Sequence, residues 1–227
     1  MKERIDILFL CGGKGIRLRP YTNNTPKPLL LVNNKPFLFH LINKVKNLIS
    51  VQNIIIAGGY KVKKIVSFVK KDFKYNKKII IIDSGEVDII QRIKDATKYI
   101  SNDFMVCYGD TYAAIDLKKY INKFKNNKKN ICSMVGSMYQ IKYGTVRYNK
   151  KNNMVSQFRE KPIIKDPINL GYFLFRKALI SKIFKYNSWE EFLKSLAKSK
   201  RIKLFITNQK HFSFDSPSEY NKIKNVF

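Results

Sequence analysis

The chain alternates short, unbroken apolar runs with longer segments whose apolar residues recur every three or four positions. Ile5 to Cys11 is the first such run, closed by Gly12 and Gly13, and its length suits a buried strand that meets a glycine turn. Asn53 to Ala57, Lys78 to Asp83 and Phe104 to Tyr108 repeat it, each ending close to a glycine. Between these runs, Pro36 opens a helical spacing carried by Phe37, Leu41, Val45 and Leu48. Val62, Ile65, Val66, Val69 and Phe73 mark a second amphipathic helix, and Val87 to Ile100 a third. Strand-helix alternation of this kind predicts an α/β fold: a Rossmann-like, mixed but mostly parallel sheet with helices on both faces. From Ile131 the spacing changes. ICSMVGSMY, GTVRYN, MVSQF and GYFLF follow one another without long helices between them, which predicts antiparallel strands finishing or flanking the sheet. Helical segments at Lys177 to Tyr186 and Trp189 to Lys198, a strand at Ile202 to Thr207 and a helix after Ser216 complete the pattern.

No linker, internal repeat or boundary interrupts this order, so a single domain over residues 1–227 is expected. A chain that is 44% hydrophobic with only 10 Gly and 7 Pro is neither a disordered tail nor a low-complexity array. Cys11, Cys107 and Cys132 form an odd set without a CxxC pair, which argues against a disulfide framework or a structural zinc site and for a reducing, cytoplasmic setting. No apolar run approaches the ~20 residues of a membrane span. The excess of 45 Lys+Arg over 16 Asp+Glu, a net charge of +29, will attract anions of any kind. Its lysines fall mainly on helix faces, such as Lys61, Lys63, Lys64, Lys118, Lys119 and Lys123, and no nucleic-acid motif accompanies them. A basic nucleic-acid-binding protein is therefore only a distant alternative, no membrane partner is expected, and self-association into a homo-oligomer is left open.

The chemistry is concentrated in Leu10-Cys11-Gly12-Gly13-Lys14-Gly15-Ile16-Arg17-Leu18-Arg19-Pro20, followed by Thr25-Pro26-Lys27-Pro28. Glycines directly after a buried strand allow close approach of backbone to a ligand, and Arg17 and Lys27 add positive charge. The stretch is neither a P-loop, which needs Gly-Lys-Ser/Thr, nor the dinucleotide fingerprint, whose third glycine is replaced here by Leu18. Asp110 sits at the carboxyl end of a predicted strand, where α/β sheets place ligands. Asp215 reads either as a functional carboxylate or as a cap of the last helix. His40, among apolar residues on a helix, reads as structural.

These segments resemble the sugar-phosphate nucleotidyltransferases (nucleoside-diphosphate-sugar pyrophosphorylases), whose entry signature has the form GGxGxRLxPxT…PKP. Tyr108-Gly109-Asp110 is similar to the family's strand-end Gly-Asp, Tyr143-Gly144-Thr145-Val146 to its YGxV, and Glu160-Lys161-Pro162 to its EKP. Asn169-Leu170-Gly171 resembles its NxG turn, and Phe214-Asp215-Ser216-Pro217 the start of its closing motif. The resemblance implies the nucleotide-diphospho-sugar transferase fold and a metal-dependent attack of an acceptor phosphate on the α-phosphorus of a nucleoside triphosphate, with release of pyrophosphate. It assigns Mg²⁺, or Mn²⁺, to Asp110 and Asp215, and catalytic charge to Arg17, Lys27 and Lys161. Nucleotide contacts fall to Leu10, Cys11, Gly12, Gly13, Gly15, Ser84, Gly85, Arg92 and Gly109; acceptor contacts to Tyr143, Gly144, Glu160, Asn169, Leu170 and Gly171. Asp83-Ser84-Gly85, followed by Arg92-Ile93-Lys94, is similar to the glucose-1-phosphate cytidylyltransferase branch and implies CTP, with Ser84, Gly85 and Arg92 against the cytosine edge. Ile16, Ile89-Ile90 and Leu170 depart from the family pattern, and a branched Leu170 beside the sugar would narrow a hexose pocket. That puts the sugar in doubt, and the compact chain resembles cytidylyltransferases that act on L-glutamine phosphate; this resemblance implies CDP-L-glutamine as product, a step of capsule polysaccharide biosynthesis. A sugar 1-phosphate is the alternative.

Overall fold

The computed structural model describes residues 4–74 and 78–226. The chain runs through β1 (Ile5–Leu10), a small hairpin of β2 (Leu31–Val32) and β3 (Lys35–Pro36), α1 (Phe37–Lys46), β4 (Val51–Gly58), α2 (Val62–Asp72) and β5 (Ile79–Asp83). It continues with α3 (Ile89–Ala96), β6 (Asp103–Tyr108), β7 (Thr111–Ala113), α4 (Leu117–Asn126) and β8 (Cys132–Ser137). The hairpin of β9 (Thr145–Tyr148) and β10 (Val155–Arg159) follows, then β11 (Ile168–Phe175), α5 (Ile180–Ile183), α6 (Trp189–Lys198), β12 (Ile202–Thr207), β13 (His211–Ser213) and α7 (Pro217–Ile223).

Seven of these strands form the central sheet, in the order β12-β8-β11-β6-β1-β4-β5. β5, β4, β1 and β6 are mutually parallel, while β11 runs antiparallel between β6 and β8. The expected change of pattern after Ile131 is thus real, and β12 returns parallel to β8 at the edge. The apolar runs are unbroken because the sheet is covered on both faces. Along β1, Ile5, Ile7 and Phe9 enter one core with α1, α2, α4 and α7, while Leu8 points into a second core with α3 and α6. β4, β6 and β11 alternate in the same way: Tyr172 and Leu174 face the first core, Phe173 and Phe175 the second.

Local chemistry trims the predicted helices. Asp88 caps α3 by accepting from the Gln91 N–H at 2.9 Å, so the helix starts at Ile89, and its end tightens into a 3₁₀ turn at Thr97–Tyr99. The expected helix at Lys177 to Tyr186 is a 3₁₀ turn followed by the four residues of α5. The short pairings β2–β3 and β7–β13 were not legible in the sequence; the second brings the segment before Asp215 against the one after Asp110. His40 is structural as expected, its ring donating to the Val32 carbonyl at 2.8 Å.

Candidate active site

β1 and β6 end side by side, with Leu10 paired to Tyr108, and the Gly109 N–H donates back to the Leu10 carbonyl at 3.0 Å. A side chain at Gly109 would meet that carbonyl at 2.5 Å and the Cys11 sulfur at 2.6 Å. Glycine here therefore lets the Asp110 turn close onto the loop after β1. Gly15 takes φ +61°, and its carbonyl accepts from Thr22 Oγ1 at 2.8 Å, which folds the loop back toward Lys27. The result is a cleft of about 510 Å³ at the carboxyl ends of the parallel strands. Leu10, Cys11, Gly12, Gly13, Gly15, Arg17, Lys27, Arg92, Gly109, Asp110 and Asp215, all singled out from the sequence, line it.

Lys27 organises the charged end. Its ammonium donates to Asp110 Oδ2 at 2.7 Å and to Asp215 Oδ1 at 2.6 Å, so carboxylates 105 positions apart in the chain are close enough to share one ion. Arg17 reaches the other oxygen of Asp215 at 2.9 Å. Burial pushes the Asp215 carboxyl up, but Lys27 and Arg17 outweigh it and hold the group below the usual carboxylate range. Asp215 does not cap the last helix. Ser216 does, accepting from the Glu219 N–H at 3.3 Å, while the Glu219 carboxylate accepts from the Asp215 N–H at 2.8 Å. This capping box aims the Asp215 side chain back into the cleft.

The other predicted nucleotide contacts differ from expectation. Arg92 is 4% exposed and its guanidinium is committed to carbonyls: Gly58 through Nη1, and Gly85 and Val87 through Nη2 at 3.0 Å each. Its donors tie the end of β4 to the connection between β5 and α3, so it shapes the cleft and is not free to read a base edge. A Cβ on Gly12 would collide with that guanidinium, which gives Gly12 its own reason to be glycine. Ser84 lies outside the cleft, lining a separate cavity with Lys94, Asp95 and Tyr99. Gly85, at φ +67°, contributes its carbonyl to Arg92. The Cys11 thiol is buried, and burial followed by the nearby Asp110 raises its pKa, so Cys11 offers backbone and apolar surface, not a nucleophile.

The structure separates the residues expected to contact the acceptor. Asn169 Oδ1 accepts from the Gly171 N–H at 2.8 Å, and Gly171, at φ +73°, packs on the Tyr108 ring so closely that a Cβ would lie 2.6 Å from it. Tyr108 lines the cleft, and its hydroxyl accepts from Trp189 Nε1 at 3.0 Å. This Tyr108–Trp189 pair had no signal in the sequence, because α6 lies more than 80 positions beyond β6. Leu170 is 3% exposed and belongs to the first hydrophobic core, so, contrary to expectation, its side chain does not line the cleft. Tyr143, Gly144, Glu160 and Lys161 lie beside the β9–β10 hairpin and do not line the cleft. Lys161 is exposed, at φ 42°, with Glu160 3.8 Å away. Gly144 sits under the Phe158 ring.

Asp110 and Asp215 fit a hard divalent cation that completes its shell with phosphate and water; among the described residues no group of three or more His, Cys, Asp and Glu forms a full cage. Such an incomplete donor set suits Mg²⁺ or Mn²⁺ carried on a polyphosphate. No helix among the described residues is long and apolar enough to cross a membrane.

The nucleotidyl transferase family model matches residues 7–216. The chain is 30% identical over 217 residues to the D-glycero-alpha-D-manno-heptose 1-phosphate guanylyltransferase of Campylobacter jejuni, covering 94% of this chain and 96% of that one. It is 29% identical over 236 residues to a probable glucose-1-phosphate cytidylyltransferase of Bacillus subtilis, covering 91% and 88%. It also matches the bifunctional protein GlmU of Methanocaldococcus jannaschii at 32% identity over 212 residues, but spans only 48% of that relative's length. Among solved structures, HddC from Yersinia pseudotuberculosis superposes with a TM-score of 0.73 at 28% identity, covering 96% of this chain and 97% of that one. The fold, the glycine loop and the two converging aspartates thus accompany a match over nearly the whole chain, which belongs to the nucleotidyl transferase family and is an enzyme of the sugar-phosphate nucleotidyltransferase type.

Proposed function

We propose that the chain transfers a cytidylyl group from CTP to a sugar 1-phosphate, releasing pyrophosphate and forming a CDP-sugar. The observation that carries the chemistry is the meeting of Asp110, Asp215, Lys27 and Arg17 at the mouth of a side-chain-poor glycine loop. In-line transfer needs little covalent help from the protein: an acceptor phosphate oxygen bonds the α-phosphorus as the bridge to the β-phosphate breaks. The work is positioning and charge neutralisation. The Gly12–Gly15 turn admits the triphosphate close to backbone, and Arg17 and Lys27 hold its oxygens. Asp110 and Asp215 would hold Mg²⁺ or Mn²⁺, which supplies charge neutralisation at the phosphates when bound. Lys161 is assigned to the acceptor phosphate on its motif alone.

CTP is favoured by the cytidylyltransferase among the relatives and by the motif likeness of Asp83-Ser84-Gly85 and Arg92-Ile93-Lys94 alone, since Ser84 lies outside the cleft and Arg92 is bonded to carbonyls. The sugar is preferred because Leu170, which had put a hexose in doubt by narrowing its pocket, is turned into the core. A second reading, guanylyl transfer from GTP to a heptose 1-phosphate, is favoured by the guanylyltransferase that matches this chain end to end. A pyrophosphate-release screen tests both by crossing CTP, GTP, UTP and dTTP with glucose 1-phosphate, a heptose 1-phosphate and L-glutamine phosphate. Release from CTP with a sugar phosphate is expected. Release from GTP with the heptose phosphate would move the reading to the second, and no release from any pair would overturn both.

A further inference from the structure

We propose that Lys27 is a built-in counter-ion that occupies the place between Asp110 and Asp215, so that a divalent cation is admitted only together with a polyphosphate able to draw the lysine away. The inference rests on the reading above, that these two carboxylates hold the metal. Lys27 follows Pro26 and opens the 3₁₀ turn Lys27–Leu29, so its backbone is fixed. Its residue is 8% exposed, and its ammonium stands 5.2 Å from the centre of the Phe214 ring, leaving it few places to go. There it makes two charge-assisted hydrogen bonds, 2.7 Å to Asp110 and 2.6 Å to Asp215.

The charges balance without a metal: Lys27 and Arg17 against Asp110 and Asp215. A bare divalent ion entering this cluster would break the lysine's bonds and leave two positive charges uncompensated, in a cleft that Arg92 and Lys14 also line. A metal bound to a triphosphate brings its own excess of negative charge. Lys27 and Arg17 then exchange carboxylate for phosphate oxygens, and no buried charge is left unpaired. The lysine that seals the empty site thereby becomes the one that holds the donor.

The test is Mn²⁺ binding without nucleotide, followed by the electron paramagnetic resonance signal of the free ion. Lys27→Met is expected to bind Mn²⁺ at least tenfold more tightly than the unaltered protein, and Lys27→Met/Asp110→Asn to lose that gain. Equal or weaker binding by Lys27→Met would overturn the proposal. A second measurement needs no variant: millimolar Mg²⁺ alone is expected to leave the melting temperature unchanged, while inorganic tripolyphosphate with Mg²⁺ raises it more than tripolyphosphate without. Stabilisation by Mg²⁺ alone as large as with tripolyphosphate would also overturn it. These comparisons are independent of turnover, so a failed substrate screen would remove the functional reading and leave them intact.

Discussion

The cleft and the β9–β10 hairpin are built differently. In the cleft, charged groups are anchored: Lys27 by two carboxylates, Asp215 by Arg17 and the capping interactions of α7, Arg92 by three carbonyls. At the hairpin and the segment after it, Tyr143 is 76% exposed, Phe158 64%, and the exposed Lys161 ammonium stands 3.8 Å from Glu160. The β9–β10 hairpin pairs only with itself in the described structure. Under the function proposed above, the anchored cluster serves the triphosphate and the open hairpin the acceptor, a division suited to a family that keeps one reaction and varies the acceptor.

Asp110→Asn attacks the anchored half and is expected to have the largest effect, lowering pyrophosphate release about 10³-fold or more with unchanged far-ultraviolet circular dichroism. Leu170→Ala separates core from site. Urea denaturation should show a loss of about 2–5 kcal/mol, with unchanged acceptor preference per folded molecule. A mirrored pair then divides the two ends: Arg92→Lys should raise the triphosphate KM about tenfold and leave the acceptor KM alone, and Lys161→Ala should do the reverse. If both variants moved the same KM, the division would fail.

Much of this was legible in the sequence, for identifiable reasons. Strands buried on both faces leave unbroken apolar runs, and a loop that must stay free of side chains leaves glycines, so β1, β4, β6 and the Gly12–Gly15 turn could be read directly. What was not legible depends on side-chain direction or on distant pairing. Leu170 looked like a wall of the acceptor pocket because its motif neighbours Asn169 and Gly171 do lie beside Tyr108, yet strand alternation turns it into the core. Arg92 looked like a base contact, and only the positions of the Gly58, Gly85 and Val87 carbonyls reveal it as a brace. Asp215 could be told from a helix cap only once Ser216 was seen in that role.

The smallest expected effect is on pH dependence. Because Lys27 and Arg17 hold the Asp215 carboxyl below its ordinary range, its contribution to stability is full above the unfolded value near ~4 and is lost as pH falls through the lower folded value. The side chain is half exposed, so solvent screening keeps the contribution modest. Melting curves of the unaltered protein and Asp215→Asn should differ at pH 7 and begin to converge as pH falls below about 4, meeting only below the lower folded value.

The most direct test of the shared site is a double-mutant cycle on pyrophosphate release with Asp110→Asn, Asp215→Asn and the pair. Two carboxylates serving one ion fail together, so the double variant should be no more than a few-fold slower than the slower single one. Losses that multiply, or either single variant retaining full turnover, would show that the two aspartates do not act as one site.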